Sequence, residues 1–277
     1  FGTWDAENIN PIWRYGNSFR KDDEFDIDNA NERVCKYVRK QFRNLSINNG
    51  YKHVVEKTDN NILRIKFVEK IFPKARFIFI VRDGRDAIAS MMIRRKQKLN
   101  LKSLFKKIRY IPITSIPIVT IRYINFIMQR FIFYKKMVYN MGPTWENKDK
   151  EIINKSEIEI LALQWAKCIE KGYRDIKTID SDRVHIIKYE EFVTNPKSSI
   201  KDIIKFLKIN CTKEYIQLTI NKILHLDLGK ATCSEEVKSV KGITNQRIGK
   251  WKTQLDEKQL NSIMPIISKV MKELCYK

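Results

Sequence analysis

The 277-residue chain carries 54 Lys and Arg against 32 Asp and Glu, a formal charge of +22, with 43% hydrophobic and 11% aromatic residues. That apolar content is enough for a buried core and excludes general disorder. The charge points to an anionic partner or substrate, whether a phosphorylated cofactor, nucleic acid, an acidic glycan or a membrane surface.

Five cysteines (Cys35, Cys168, Cys211, Cys233 and Cys275) are odd in number, scattered and without a C-x-x-C pair. They argue against a disulfide framework or a zinc site, and with three dispersed histidines no metal is expected. The longest uncharged run, 110–121, is twelve residues, short of the ~20 that a membrane span needs. The first residue is Phe1 rather than Met, which raises the expectation of processing or truncation, with an anchor or part of the chemistry upstream.

After an acidic stretch at 21–32, the spacing of Val34, Tyr37, Val38 and Phe42 predicts a helix over 32–47. A short strand is expected at 52–55. A helix over 60–71 follows, capped by Thr58 or Asp59 and ended by Pro73. RFIFIV at 76–81 is the best strand, short, apolar and closed by an Asp-Gly turn, and helical spacing resumes over 86–98. Two or three helices are expected within 101–136 and 156–177. VHIIK at 184–188 reads as a second buried strand, 189–195 as a turn, 195–207 as a helix, and 255–272 as a closing helix kinked near Pro265.

Short apolar strands separated by helices predict an α/β fold with a short parallel sheet. With no internal repeat or flexible linker, 1–277 reads as a single domain. Residues 87–145 contain no Asp or Glu, and 94–155 reads as a basic helical insertion. Its plainer reading is amphipathic helices with solvated lysines. The alternative is a surface that shapes the acceptor site or touches an anionic glycan or lipid, with peripheral membrane contact.

The segment that carries chemistry is 72–95, FPKARFIFIVRDGRDAIASMMIRR. A strand ending at Val81 delivers Arg82 to the carboxyl edge of the sheet, where open α/β sheets bind ligands. The helix that follows turns its first backbone N–H groups toward the same crevice, and a helix N-terminus with an arginine binds phosphate. Ser90, eight residues after Arg82, supplies a hydroxyl. The purely structural alternative is a strand-end arginine paired with Asp83 or Asp86.

V-R-D-G-R-D-x-x-x-S after F-P-x-A-x-F resembles the 3′-phosphate motif of sulfotransferases that use 3′-phosphoadenosine 5′-phosphosulfate (PAPS), in the form shared by bacterial sulfotransferases and tyrosylprotein sulfotransferases. The resemblance implies that Arg82 and Ser90 bind the 3′-phosphate. VEKTDNNIL at 55–63 is similar to the lysine segment that precedes the motif, which places Lys57 near the sulfuryl group and the leaving phosphate. KYEEF at 188–192, with Asn195, Pro196, Phe206 and Leu207, resembles the family's Y-E-[DE]-[LF]-V signature, whose tyrosine, here Tyr189, lies near the cofactor. RIGKW at 247–251 is similar to the carboxy-terminal G-x-W segment, and the loop from Ser239 to Arg247 corresponds to one that closes over PAPS. Four motifs in order cover nearly the whole chain, and the implied fold is the P-loop-type sulfotransferase fold.

The family's amino-terminal phosphosulfate loop, of G-x-x-R-S-G-T type, has no counterpart here, so the chain is expected to be an amino-terminally truncated sulfotransferase domain. Relatives place a glutamate shortly before a Pro/Trp stretch, which implies Glu7 as the base that accepts the acceptor's proton, with Asp5 as runner-up. The implied reaction moves the sulfuryl group of PAPS to a hydroxyl of a glycan, a protein tyrosine or a small alcohol, without a metal, leaving 3′,5′-ADP. The resemblance places such an enzyme in the cytoplasm if bacterial, and in the Golgi if eukaryotic. Two other classes stand beside it: a P-loop-related nucleotide kinase or NTPase, which lacks support from any Walker A sequence, and a non-catalytic binder of anionic polysaccharide or nucleic acid, supported by charge alone.

Overall fold

The computed structural model describes residues 2–3, 10–50, 52–95, 116–117, 120–121, 124, 142–224 and 245–276. Its strands are β1 (Gly2–Thr3), β2 (Val54–Val55), β3 (Phe77–Val81) and β4 (Val184–Lys188). Its helices are α1 (Asn10–Trp13), α2 (Glu32–Asn49), α3 (Ile65–Ile71), α4 (Gly84–Arg95), α5 (Lys148–Glu151), α6 (Glu157–Ile176), α7 (Tyr189–Thr194), α8 (Pro196–Phe206), α9 (Lys213–Leu224), α10 (Trp251–Gln254) and α11 (Glu257–Glu273). The chain divides into two interleaved units, residues 1–75 with 99–176, and 76–98 with 177–277. The segment read as an insertion lies mostly outside the described residues.

In the first unit β1 pairs in parallel with β2. Its core gathers Ile12, Trp13, Phe25, Val34, Val38, Phe67 and Ile71, with Phe42 and Phe72 against them. The α2 positions are those the 3.6-residue period selects. Asn31 caps α2 by accepting from the Val34 amide at 3.0 Å, and Gly50 ends it in the left-handed region (φ 65°).

One expectation fails here. The predicted helix over 60–71 is a 3-10 turn at Asp59–Leu63 followed by α3, with the break at Arg64. Arg64 is fully buried. Its guanidinium lies 5.7 Å from the ring centroids of both Trp13 and Phe25 and donates to Asn61 Oδ1 and Asn10 Oδ1, each at 2.8 Å. Burial lowers its pKa to about 10. Inserting a long cation between two aromatic rings takes the backbone out of helical geometry (φ −142°, ψ 36°).

In the second unit β3 and β4 run parallel in a five-residue register from Phe77↔Val184 to Val81↔Lys188. Ile88 and Ala89 of α4 are buried, as are Ile263, Ile267, Val270 and Met271 of α11, and α4 packs on α10 and α11. The segment expected as a turn at 189–195 is instead α7, with Glu190 and Glu191 in its first turn, where carboxylates favour a helix N-terminus. Asn195, outside helical geometry (φ −124°, ψ 58°), then hands the chain to Pro196, the first residue of α8. Residues 213–224, for which no element was expected, form α9. The helix α11 opens with a reciprocal Asp256–Gln259 capping box and continues through Pro265.

Candidate functional site

The parallel register sets the site. Because Val81 stands beside Lys188, the residues after β3, Arg82 and Asp83, and those that open α7, Tyr189 and Glu190, emerge from the same edge. The Asp83 N–H donates to Glu190 Oε1 at 3.0 Å, bolting the two turns together. Asp83 caps α4 by accepting from the Arg85 amide at 2.8 Å, which is why the helix starts two residues before the expected Asp86. Its other oxygen is ion-paired with Arg85 Nη2 at 2.6 Å.

Arg82 stacks its guanidinium 4.6 Å from the centroid of the Tyr189 ring and donates from Nη2 to the Arg247 carbonyl at 2.7 Å. Its Nε–H is buried and meets no acceptor among the described residues, a state that costs about 1–3 kcal/mol until an oxygen answers it. Asp86, almost wholly buried, accepts from the Gly249 amide at 2.7 Å and the Trp251 amide at 2.9 Å. Arg85 lies 4.3 Å from the Trp251 ring centroid. Three of the residues singled out in the sequence, Arg82, Tyr189 and Arg247, are therefore brought together within one unit, with Ser90 half-buried on the face of α4 that bears Asp86, one helical turn on.

Three described carboxylates near Arg82 are answered by the protein. Asp83 is held by Arg85, Asp86 by two amides, and Glu190 by the Asp83 amide and by the Tyr276 hydroxyl at 2.7 Å. Burial first, and Glu190 second, raise the Tyr276 pKa far above the ordinary phenol range, so this hydroxyl stays a donor. Of the two carboxylates that the structural alternative pairs with Arg82, Asp83 pairs with Arg85 instead, while Asp86 forms a long ion pair with Arg82 Nη2 at 4.0 Å, beyond hydrogen-bond length.

Lys57 belongs to the other unit. It is largely exposed and ion-paired with Asp59 at 2.5 Å. Its neighbour Glu56 is half-buried, with its pKa raised by burial, and it accepts from Thr58 and Asn61. Glu7, Asp5 and Ser239 lie outside the described residues. Among the described residues no group of His, Cys, Asp or Glu is arranged to hold a metal ion, and no helix is long and apolar enough to cross a membrane.

The profile of the sulfotransferase domain family matches residues 18–275. The chain belongs to that family. Its α/β architecture, with a small parallel sheet and many helices, is the family's, and membership makes the protein a transferase of sulfuryl groups. Among solved structures it is similar to a sulfotransferase domain from the curacin biosynthetic pathway, with 13% identity and a TM-score of 0.43 over 87% of this chain and 68% of that one. No curated protein matches it.

From sequence, Asp86 is legible only as a partner for Arg82, and neither Glu190 nor Tyr276 has an assigned role. Asp86 had a signal, a second carboxylate in the first turn of a helix that Asp83 already caps. Glu190 sat inside a quoted motif. Tyr276 had none.

Proposed function

We propose that the chain transfers the sulfuryl group of PAPS to a hydroxyl acceptor, with Arg82 and Ser90 receiving the 3′-phosphate. The observation that carries this reading is Arg82 at the end of β3, seated on Tyr189 beside the start of α4, with its buried Nε–H unanswered among the described residues. An anionic oxygen satisfies that donor, and Asp83, Asp86 and Glu190 are each held by other groups. Charge-assisted bonds of this type contribute about 1.5–3 kcal/mol each.

Within this reading Arg82 and Ser90 do not touch the reacting sulfur. They hold the nucleotide so that transfer is in line. Lys57 stabilises the charge that grows on the bridging oxygen and leaving phosphate, and Glu7, or Asp5 in its place, accepts the acceptor's proton. The roles of Lys57, Glu7 and Ser239 rest on the family resemblance alone. Arg247 and Ser239 bracket the loop assigned to cover the nucleotide.

Thermal stabilisation of the chain by 3′,5′-ADP, and not by ATP or RNA, is the expected result. Stabilisation by ATP alone would favour a nucleotide kinase or NTPase, and by RNA alone a polyanion binder. A screen of labelled sulfate transfer onto tyrosine peptides, glycans and small alcohols then identifies the acceptor class.

A further inference from the structure

We propose that Asp86 is a positioning residue for the anion site: by fastening 249–251 to the first turn of α4 it fixes the Arg247 carbonyl, and through that carbonyl the orientation of the Arg82 guanidinium. The proposal rests on the reading of Arg82 as an anion ligand.

The segment 247–251 is pinned at three points, all to the R-D-G-R-D stretch. The Arg247 carbonyl accepts from Arg82 Nη2 at 2.7 Å, and the Gly249 and Trp251 amides donate to the two oxygens of Asp86 at 2.7 and 2.9 Å. The Trp251 ring is covered by Arg85, itself held by Asp83. Gly249 has φ 71°, a left-handed conformation in the turn whose Gly249 and Trp251 amides meet one carboxylate. With Nη2 committed to Arg247 and one face of the guanidinium against Tyr189, the buried Nε–H is left, among the described residues, as a donor without an acceptor. Asp86 thereby decides which donors of Arg82 stay available. It does so while lying 4.0 Å from Arg82 Nη2, where its own charge opposes an incoming anion.

That opposition makes the test a matter of sign. Coulomb's law alone has Asp86→Asn tighten anion binding, because a negative charge beside Arg82 disappears. Positioning has it weaken, because a carboxamide accepts from only one of the two amides. The experiment titrates 3′,5′-ADP into the full chain, its Asp86→Asn and Asp86→Ala variants, and both in an Arg82→Ala background, with backbone amide exchange followed at Gly249 and Trp251. The expected result is roughly tenfold weaker binding in Asp86→Asn and a larger loss in Asp86→Ala. Exchange at both amides should accelerate, and no further loss should appear once Arg82 is alanine, since the two residues then act through one contact. Unchanged or tighter binding in Asp86→Asn overturns the proposal, as does an equal loss in the Arg82→Ala background. If the parent chain itself fails to bind 3′,5′-ADP, the anion-site reading falls and this inference with it. If the parent binds and is indifferent to Asp86, only this inference falls. Asp86→Asn keeps size and one acceptor, so the test survives even where Asp86→Ala does not fold.

Discussion

Replacing Lys148 by methionine should stabilise the protein at neutral pH. Lys148 is buried and its ammonium meets no acceptor among the described residues. Burial lowers its pKa from 10.5 to about 8, a depression worth about 3 kcal/mol against the charged form. The Trp145 ring, 5.2 Å away, already returns part of that through a cation–π contact, so a net gain of about 1–3 kcal/mol is expected from Lys148→Met. The pH dependence follows from proton binding. Below about pH 8 both folded and unfolded chains hold the proton, and the folded state bears the full desolvation cost. Between about 8 and 10.5 the unfolded chain holds it while the folded one sheds it, so parent stability rises with pH and the variant's advantage shrinks. Burial also raises the pKa of the nearby Cys168 thiol, which pulls stability the other way at alkaline pH. Comparing parent and variant in a shared Cys168→Ala background removes that contribution. Thermal melts followed by tryptophan fluorescence from pH 6 to 10.5 supply the measurement. A difference that stays constant across this range, or a variant less stable than the parent at pH 7, would refute the reasoning.

Arg82→Ala should weaken 3′,5′-ADP by tenfold or more in calorimetric titration, and an unchanged affinity removes Arg82 from the anion site. Lys57→Ala, assayed with a full-length enzyme, should lower kcat far more than it raises KM for PAPS, whereas a pure KM effect would make Lys57 an ordinary binding residue. Glu7→Gln should leave nucleotide affinity intact and cut turnover by ~10²–10⁴-fold. Near-normal turnover there, combined with loss in Asp5→Asn, moves the base two residues upstream.

Local pattern was enough for the elements whose cause is local. β3 and β4 are short apolar runs, α2 repeats its core positions at helical spacing, and all three formed within about two residues of expectation. The break of the 60–71 helix was not legible, because it comes from burying Arg64 against Trp13, Phe25 and Asn10, the last of them 54 residues away. The helix at 189–194 was misread as a turn because Tyr-Glu-Glu-Phe-Val-Thr lacks strong propensity of its own, and its first turn is anchored instead by Glu190 to Asp83, 107 residues away.

The candidate site divides in the same way. The sequence by itself determined that Arg82 follows a buried strand, that Asp83 and Gly84 turn the chain into a helix, and that the motifs of a sulfotransferase occur in order. Those properties depend on neighbours a few residues apart, where spacing and propensity act. Only the tertiary structure decided that Arg82 spends Nη2 on the Arg247 carbonyl, that Asp86 holds Gly249 and Trp251, and that Tyr276 donates to Glu190. These partners are 165, 163, 165 and 86 residues apart. A buried donor accepts whichever acceptor the returning chain brings within about 3 Å, and that choice is written in the packing of α4, α10 and α11 rather than in any local run of residues.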